Sequence, residues 1–171
     1  GHEEKMTAFL QKFAADRGLG CKTDATGNVV ITREAAPGKE NVPAIVLQSH
    51  QDMVCEKNSG CDHDFSRDPI KYVIEDGWMI AKDTTLGADD GIGIAASLAL
   101  LDSDIPTGKL ECLFTISEET GMDGANAIES GLFTAKTLIN LDSEDEGQLF
   151  VGCAGGVDTT AVFKYSEESI D

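Results

Sequence analysis

Ala44-Ile45-Val46-Leu47-Gln48-Ser49-His50-Gln51-Asp52 is a continuous apolar run that breaks into polar, metal-capable side chains. Such a run suits a strand buried on both faces, as in a parallel sheet, with its chemistry at the C-terminal edge. Two further segments repeat the pattern. Lys109–Ile116 (KLECLFTI) leads to Glu118 and Glu119, and Thr137–Leu141 (TLINL), read as another strand of the buried kind, leads to Asp142. A fourth group, Asp89, lies in a polar loop, Thr84-Thr85-Leu86-Gly87-Ala88-Asp89-Asp90-Gly91, opening a buried, Ala-rich helix over Gly91–Leu101. Strand C-termini line up along one edge of an α/β sheet, so these groups can converge there.

Outward from this frame, Met6, Phe9, Leu10, Phe13 and Ala14 recur at helical spacing, and Gly18 follows as a C-cap. Asn28–Thr32 predicts a strand and Pro37-Gly38 a turn. Lys71–Ile74 and Trp78–Ala81 flank Asp76-Gly77, a strong hairpin signal. Gly124–Ser130 reads as helical. Gln148–Val151 reads as the start of a further strand, interrupted by Gly152-Cys153-Ala154-Gly155-Gly156. Helices alternating with apolar strands predict a three-layer α/β/α sandwich around a mixed, mostly parallel sheet.

Composition narrows the function. The chain has 171 residues, 41% of them hydrophobic, with 18 glycines and 4 prolines, which excludes a disordered or collagen-like polymer. Acids outnumber bases 31 to 13, a net charge of −18. Nucleic-acid binding needs clustered Lys and Arg and is therefore not expected, whereas cation binding is. The longest apolar stretch, near Ile92–Leu101, is far short of a membrane span. Five scattered cysteines without a C-x-x-C motif read as reduced cytoplasmic thiols. The spacing of Cys55, Cys61 and His63 matches no standard zinc finger, and they read as loop residues.

Single acids collect at helix N-termini, where they complement the dipole. That reading weakens for a set that places His-x-Asp and Glu-Glu directly after apolar strands. Two divalent cations bring four positive charges. Asp89, Glu119 and Asp142 supply three negative ones, and a hydroxide completes the balance. Zinc accepts His nitrogen beside carboxylate oxygen, while calcium favours a D-x-D-x-D-G loop that this sequence lacks. Residues i and i+2 share a strand face, so Asp52 can orient His50. Of the adjacent Glu118 and Glu119, one can hold metal while the other acts as general base.

Six ordered segments then carry a resemblance: QSHQDMV (48–54), HDFSRDPI (63–70), DTTLGADDGIGIA (83–95), SEETGMDGA (117–125), INLDSEDEG (139–147) and GCAGG (152–156). Together they resemble the co-catalytic zinc aminopeptidase/carboxypeptidase/aminoacylase superfamily. HDFSRDPI and GCAGG favour its dipeptidases over its N-acyl amino acid hydrolases and tripeptidases. The resemblance implies hydrolysis of dipeptides, Xaa-His and broader, with two Zn2+ ions for which Co2+ or Mn2+ can substitute, in a cytoplasmic homodimer. It implies that His50 binds one zinc, oriented by Asp52, with Asp142 on the same metal. Asp89 bridges both metals, Glu119 binds the one opposite His50, and Glu118 is the general base. It also implies a cis Asp89–Asp90 bond.

The family's second-metal His lies near the C-terminus of a longer chain, so this sequence reads as a piece of one. Residues 1–151 are expected to form the N-terminal part of a catalytic domain. Residues 152–171 are expected to begin a connection toward a lid and dimerisation domain. The alternative is a non-catalytic metal-binding homologue, in which an unligated Glu118 would have no use.

Overall fold

The computed structural model describes residues 2–143, 145, 147–157 and 159–167. In chain order the elements are α1 (Glu4–Asp16), β1 (Gly20–Thr23), β2 (Val29–Arg33), β3 (Ile45–His50), β4 (Tyr72–Glu75) and β5 (Trp78–Ala81). They continue with α2 (Ala88–Leu101), β6 (Leu110–Thr115), α3 (Glu118–Gly121), α4 (Asp123–Asn126) and β7 (Thr137–Asn140). Five strands form one sheet in the order β1-β2-β6-β3-β7, and β4 and β5 form a separate hairpin. β1 and β2 run antiparallel to their neighbours, whereas β3 is parallel to both β6 and β7. The α/β fold with a mixed sheet is thus as expected, but two of the four pairings are parallel rather than most of them, because β1 and β2 join as an antiparallel edge; the parallel half carries His50.

Alternation along β6 explains the layers. Leu110, Cys112 and Phe114 pack with Val29, Ile31 and Leu47 under Leu10 and Ala14 of α1 and Ile94 and Leu101 of α2. Val30, Val46 and Leu113 form the other face, covered by Leu132 with Ile128, Phe133 and Ala135. That second layer is thin. The helix expected over Gly124–Ser130 is only the single turn α4, because the apolar residues after it bend inward onto the sheet. In the hairpin, Asp76 and Gly77 both take positive φ, 50° and 83°, as a two-residue turn with right-handed strand twist requires.

Two expectations are corrected. Thr137–Leu141, read as a buried strand, does supply β7, but β7 is an exposed edge with Leu138 and Ile139 49% and 41% exposed. It pairs with β3 on one side alone among the described residues, so the apolar run reflects position in a sheet without two covered faces. Gln148–Val151 forms no strand. Among the described residues its one backbone hydrogen bond is the turn from Gln148 N–H to Asp145 C=O at 3.2 Å, and Leu149 and Val151 stand in solvent. Conversely, β1 escapes the sequence reading because its four residues are all exposed and show no alternation.

Glu111 is the polar exception inside β6, only 2% exposed. Its carboxylate accepts the backbone N–H groups of Thr134 (2.9 Å) and Ala135 (2.7 Å) and the Thr134 hydroxyl (3.0 Å). It thereby pins the segment that enters β7. Burial works against the charged form, but these donors and Lys109 hold its carboxyl below the usual glutamate range. Glu111→Ala is expected to cost about 1–3 kcal/mol, the scale of buried amides left without an acceptor. Because the folded pKa is lowered, this stability is present above the ordinary glutamate pKa and lost as pH falls through the folded value. Urea titrations of the two proteins should therefore differ at neutral pH and converge in acid.

Candidate metal centre

His50 closes β3, paired in register with Thr115, and its ring is buried. On one side Nδ1 lies 3.0 Å from the Asp52 carbonyl oxygen and 3.3 Å from Asp52 Oδ1. On the other, Nε2 lies 2.8 Å from Asp89 Oδ1 and 3.8 Å from Asp142 Oδ2. A proton on Nδ1 directed at Asp52 leaves the Nε2 lone pair facing Asp89 and Asp142, the arrangement a ligating histidine needs.

Asp52 does more than the i, i+2 argument predicts. Its Oδ1 accepts the Glu118 backbone N–H at 3.0 Å and its Oδ2 that of Glu119 at 3.1 Å. The short helix α3 has no side-chain cap of its own, and Ser117 before it is held at φ 51°. A carboxylate from β3's end thus caps a helix that follows β6. No local signal reveals this, because the partners are 66 and 67 residues apart.

Asp89 enters from a different direction. Asp89 and Asp90 have non-helical backbone angles inside the first turn of α2, and the bond between them is cis, as the resemblance implies. Asp90 is buried, and its Oδ1 accepts the Gly93 N–H at 3.1 Å. A Cβ at Gly93 would run into that carboxylate, so only glycine lets Asp90 fold over the helix start. The Asp90 role was not legible beforehand: the sequence shows an acid at a helix N-terminus but not its burial. Asp142 follows β7, where Leu141 N–H donates to Gln48 C=O at 2.9 Å and Asp142 N–H to Asn140 Oδ1 at 3.2 Å.

All six candidate residues therefore meet at the C-terminal ends of the parallel strands and the start of α2. The donor atoms of His50, Asp89 and Asp142 lie within 4.8 Å of one another, and so do those of His50, Glu118 and Glu119. Burial raises the Glu118 carboxyl above its ordinary value; Asp142, Glu119 and Asp52 raise it further, and His50 opposes them. Glu119 is raised by burial and by Asp89. Asp90 is pushed up to about 6, by burial first and then by Asp142. Burial disfavours the His50 imidazolium, but the Asp89 hydrogen bond together with Asp142, Asp52 and Asp90 outweighs it and raises the pKa. So many carboxylates around one imidazole repel one another, and a divalent cation offsets that repulsion. The nitrogen-plus-oxygen donor set fits zinc better than calcium.

The loop reading of Cys55, Cys61 and His63 agrees with the structure. His63 is buried edge-on against Phe65, with ring centroids 4.6 Å apart, and both cysteines are free. None of the three belongs to a metal-capable group among the described residues.

No protein-family model matches the chain. Cytosol non-specific dipeptidase of Escherichia coli (strain K12) is 44% identical over 170 residues, 99% of this chain and 35% of the relative. Among solved structures, aminoacylhistidine dipeptidase from Vibrio alginolyticus superposes with a TM-score of 0.82 at 48% identity, covering 85% of this chain and 30% of that one. A tripeptidase from Staphylococcus aureus subsp. aureus Mu50 gives 0.70 at 27% identity, over 84% of this chain and 39% of that one. The chain spans about a third of the length of these relatives. Over nearly all of its own length it resembles the dipeptidases of the superfamily that its motifs indicate. No helix among the described residues is long and apolar enough to cross a membrane.

Proposed function

We propose that the chain is the N-terminal part of a metal-dependent dipeptidase that hydrolyses Xaa-His and other dipeptides. Residues 1–151 would belong to its catalytic domain, and residues 152–171, of which 158 and 168–171 lie outside the described residues, would begin a connection toward a lid and dimerisation domain. The observation that carries this reading is the position of Asp52, whose one carboxylate faces His50 and receives the amides of both Glu118 and Glu119. The higher identity to the two dipeptidases than to the tripeptidase supports the substrate class. The word cytosol in the name of one relative supports a cytoplasmic protein. A homodimer is the expected assembly.

In this reading His50 and Asp142 would hold one zinc and Glu119 a second, with the Asp89 carboxylate within reach of the His50 side. Bound zinc supplies Lewis acidity, which polarises a peptide carbonyl and acidifies water. The residues of the chain do the rest. Asp52 fixes the His50 ring with Nδ1 toward itself and keeps Glu118 beside Glu119. Glu118, spared from ligation, takes a proton from water as the water oxygen bonds to the peptide carbon. When the C–N bond breaks, the same carboxyl passes that proton to the departing amine nitrogen.

Metal titration of the complete polypeptide that carries this chain tests the proposal. Zn2+ at a hundred times its Kd is expected to stabilise the fold by about 2.7 kcal/mol, and a chelator should reverse both this gain and Xaa-His hydrolysis. Metal binding without turnover would instead identify a non-catalytic homologue.

A further inference from the structure

Gln51 sits between His50 and Asp52 and is only 7% exposed. Its backbone N–H donates to Thr115 C=O at 2.8 Å, extending the β3–β6 ladder one residue past the end of the strand. Its side chain turns inward and is shared by three other elements. Nε2 donates to Phe114 C=O at 2.9 Å, in β6, and to Gly27 C=O at 3.3 Å, in the turn before β2. Oε1 accepts the Thr7 hydroxyl of α1 at 2.9 Å. Both amide protons and the carbonyl oxygen are thus engaged, so the side chain cannot rotate without stranding a buried polar group. A second tie runs the same way: Ser117 N–H donates to Oε1 of Glu3, which precedes α1, at 3.3 Å. The start of α1 therefore touches the loop after β3 and the loop after β6, the two loops that Asp52 joins.

We propose that Gln51 is a positioning residue for the metal centre: by locking the turn after β3 to β6 and α1, it sets the His50–Asp52 turn in register with Glu118 and Glu119. This rests on the metal-centre reading above. Asp52 reaches both glutamate amides only if the two loops keep their relative height. Gln51 is the buried side chain that joins the Asp52 turn to the residues leading into Ser117.

The test is Co2+ titration of the complete polypeptide, followed by visible absorption, which reports affinity and coordination without turnover. Gln51→Leu keeps the volume and removes the three side-chain hydrogen bonds. It is expected to weaken Co2+ binding by about tenfold, the lower end for lost support of a ligand, and to change the bound-Co2+ spectrum. Thr7→Val should shift affinity the same way by about two- to threefold, the size of one weak neutral hydrogen bond, while Thr7→Ser, which keeps the hydroxyl, should match the parent. If Gln51→Leu does not fold, the Thr7 pair decides. Parent-like affinity and spectrum in folded Gln51→Leu, with only a lower Tm, would overturn the proposal and leave Gln51 a stability role. Identical titrations for Thr7→Val and Thr7→Ser would overturn it likewise. A parent protein that binds no Co2+ would instead overturn the metal-centre reading, and the inference with it.

Discussion

Glu118→Gln, made in the complete polypeptide, is expected to leave metal binding within about twofold of the parent while lowering Xaa-His hydrolysis by about 10²–10⁴-fold, the usual contribution of a general base. Glutamine keeps the length and shape of the side chain and the backbone N–H that Asp52 accepts at 3.0 Å, so α3 should keep its start. What disappears is the carboxylate that takes the proton. Glu119→Ala should behave differently. It removes a donor atom and should weaken metal binding and hydrolysis together. The two variants are compared by metal stoichiometry after dialysis and by kcat at saturating metal. Equal metal loss in both would show that the two glutamates share the ligand role, and the assignment of Glu118 as base would fail.

The parallel core of this site is legible because the strands that carry it obey a simple rule. Ile45–His50 and Leu110–Thr115 are covered on both faces, so apart from Glu111 their apolar character dominates, and each run gives way at its C-terminal end to polar, metal-capable residues. Those polar residues are His50, Asp52, Glu118 and Glu119. Asp142 is found by the same rule for a partly different reason, since β7 is an edge strand whose Leu138 and Ile139 are exposed and pair with β3 alone among the described residues. The parts that stay hidden depend on distant contacts. Asp52 acting as the cap of α3 and Gln51 joining α1 to β6 each require knowing which elements meet. Periodicity carries no such information. Short exposed elements such as β1 and the single turn α4 fail for another reason, as four residues give too few positions to establish a period.

Asp52→Ala should show how far the centre depends on this one carboxylate. In the folded protein it supplies acceptors to the amides of Glu118 and Glu119 and lies 3.3 Å from His50 Nδ1. Alanine removes these three carboxylate interactions but keeps the Asp52 carbonyl oxygen, which lies 3.0 Å from Nδ1 and still orients the ring. Metal affinity is expected to fall by about tenfold, the lower end for lost support behind a ligating histidine, because the carbonyl contact remains. A second loss should appear even at saturating metal. With α3 no longer capped, Glu118 drifts from the place where it meets water, and a displacement on the order of 1 Å can cost about 10²-fold in rate. Asp52→Asn separates the two contributions. Its single oxygen can accept one glutamate amide, but its NH2 group then faces either the second amide or His50, so one contact is restored and one is opposed. Metal affinity for Asn should therefore lie between Ala and the parent, and kcat at saturating metal should recover less than affinity does. Isothermal titration with Zn2+ and kcat measured on the same preparations check this ordering. An Asp52→Ala protein that binds Zn2+ and turns over like the parent would show that His50 and the glutamates hold their places without it.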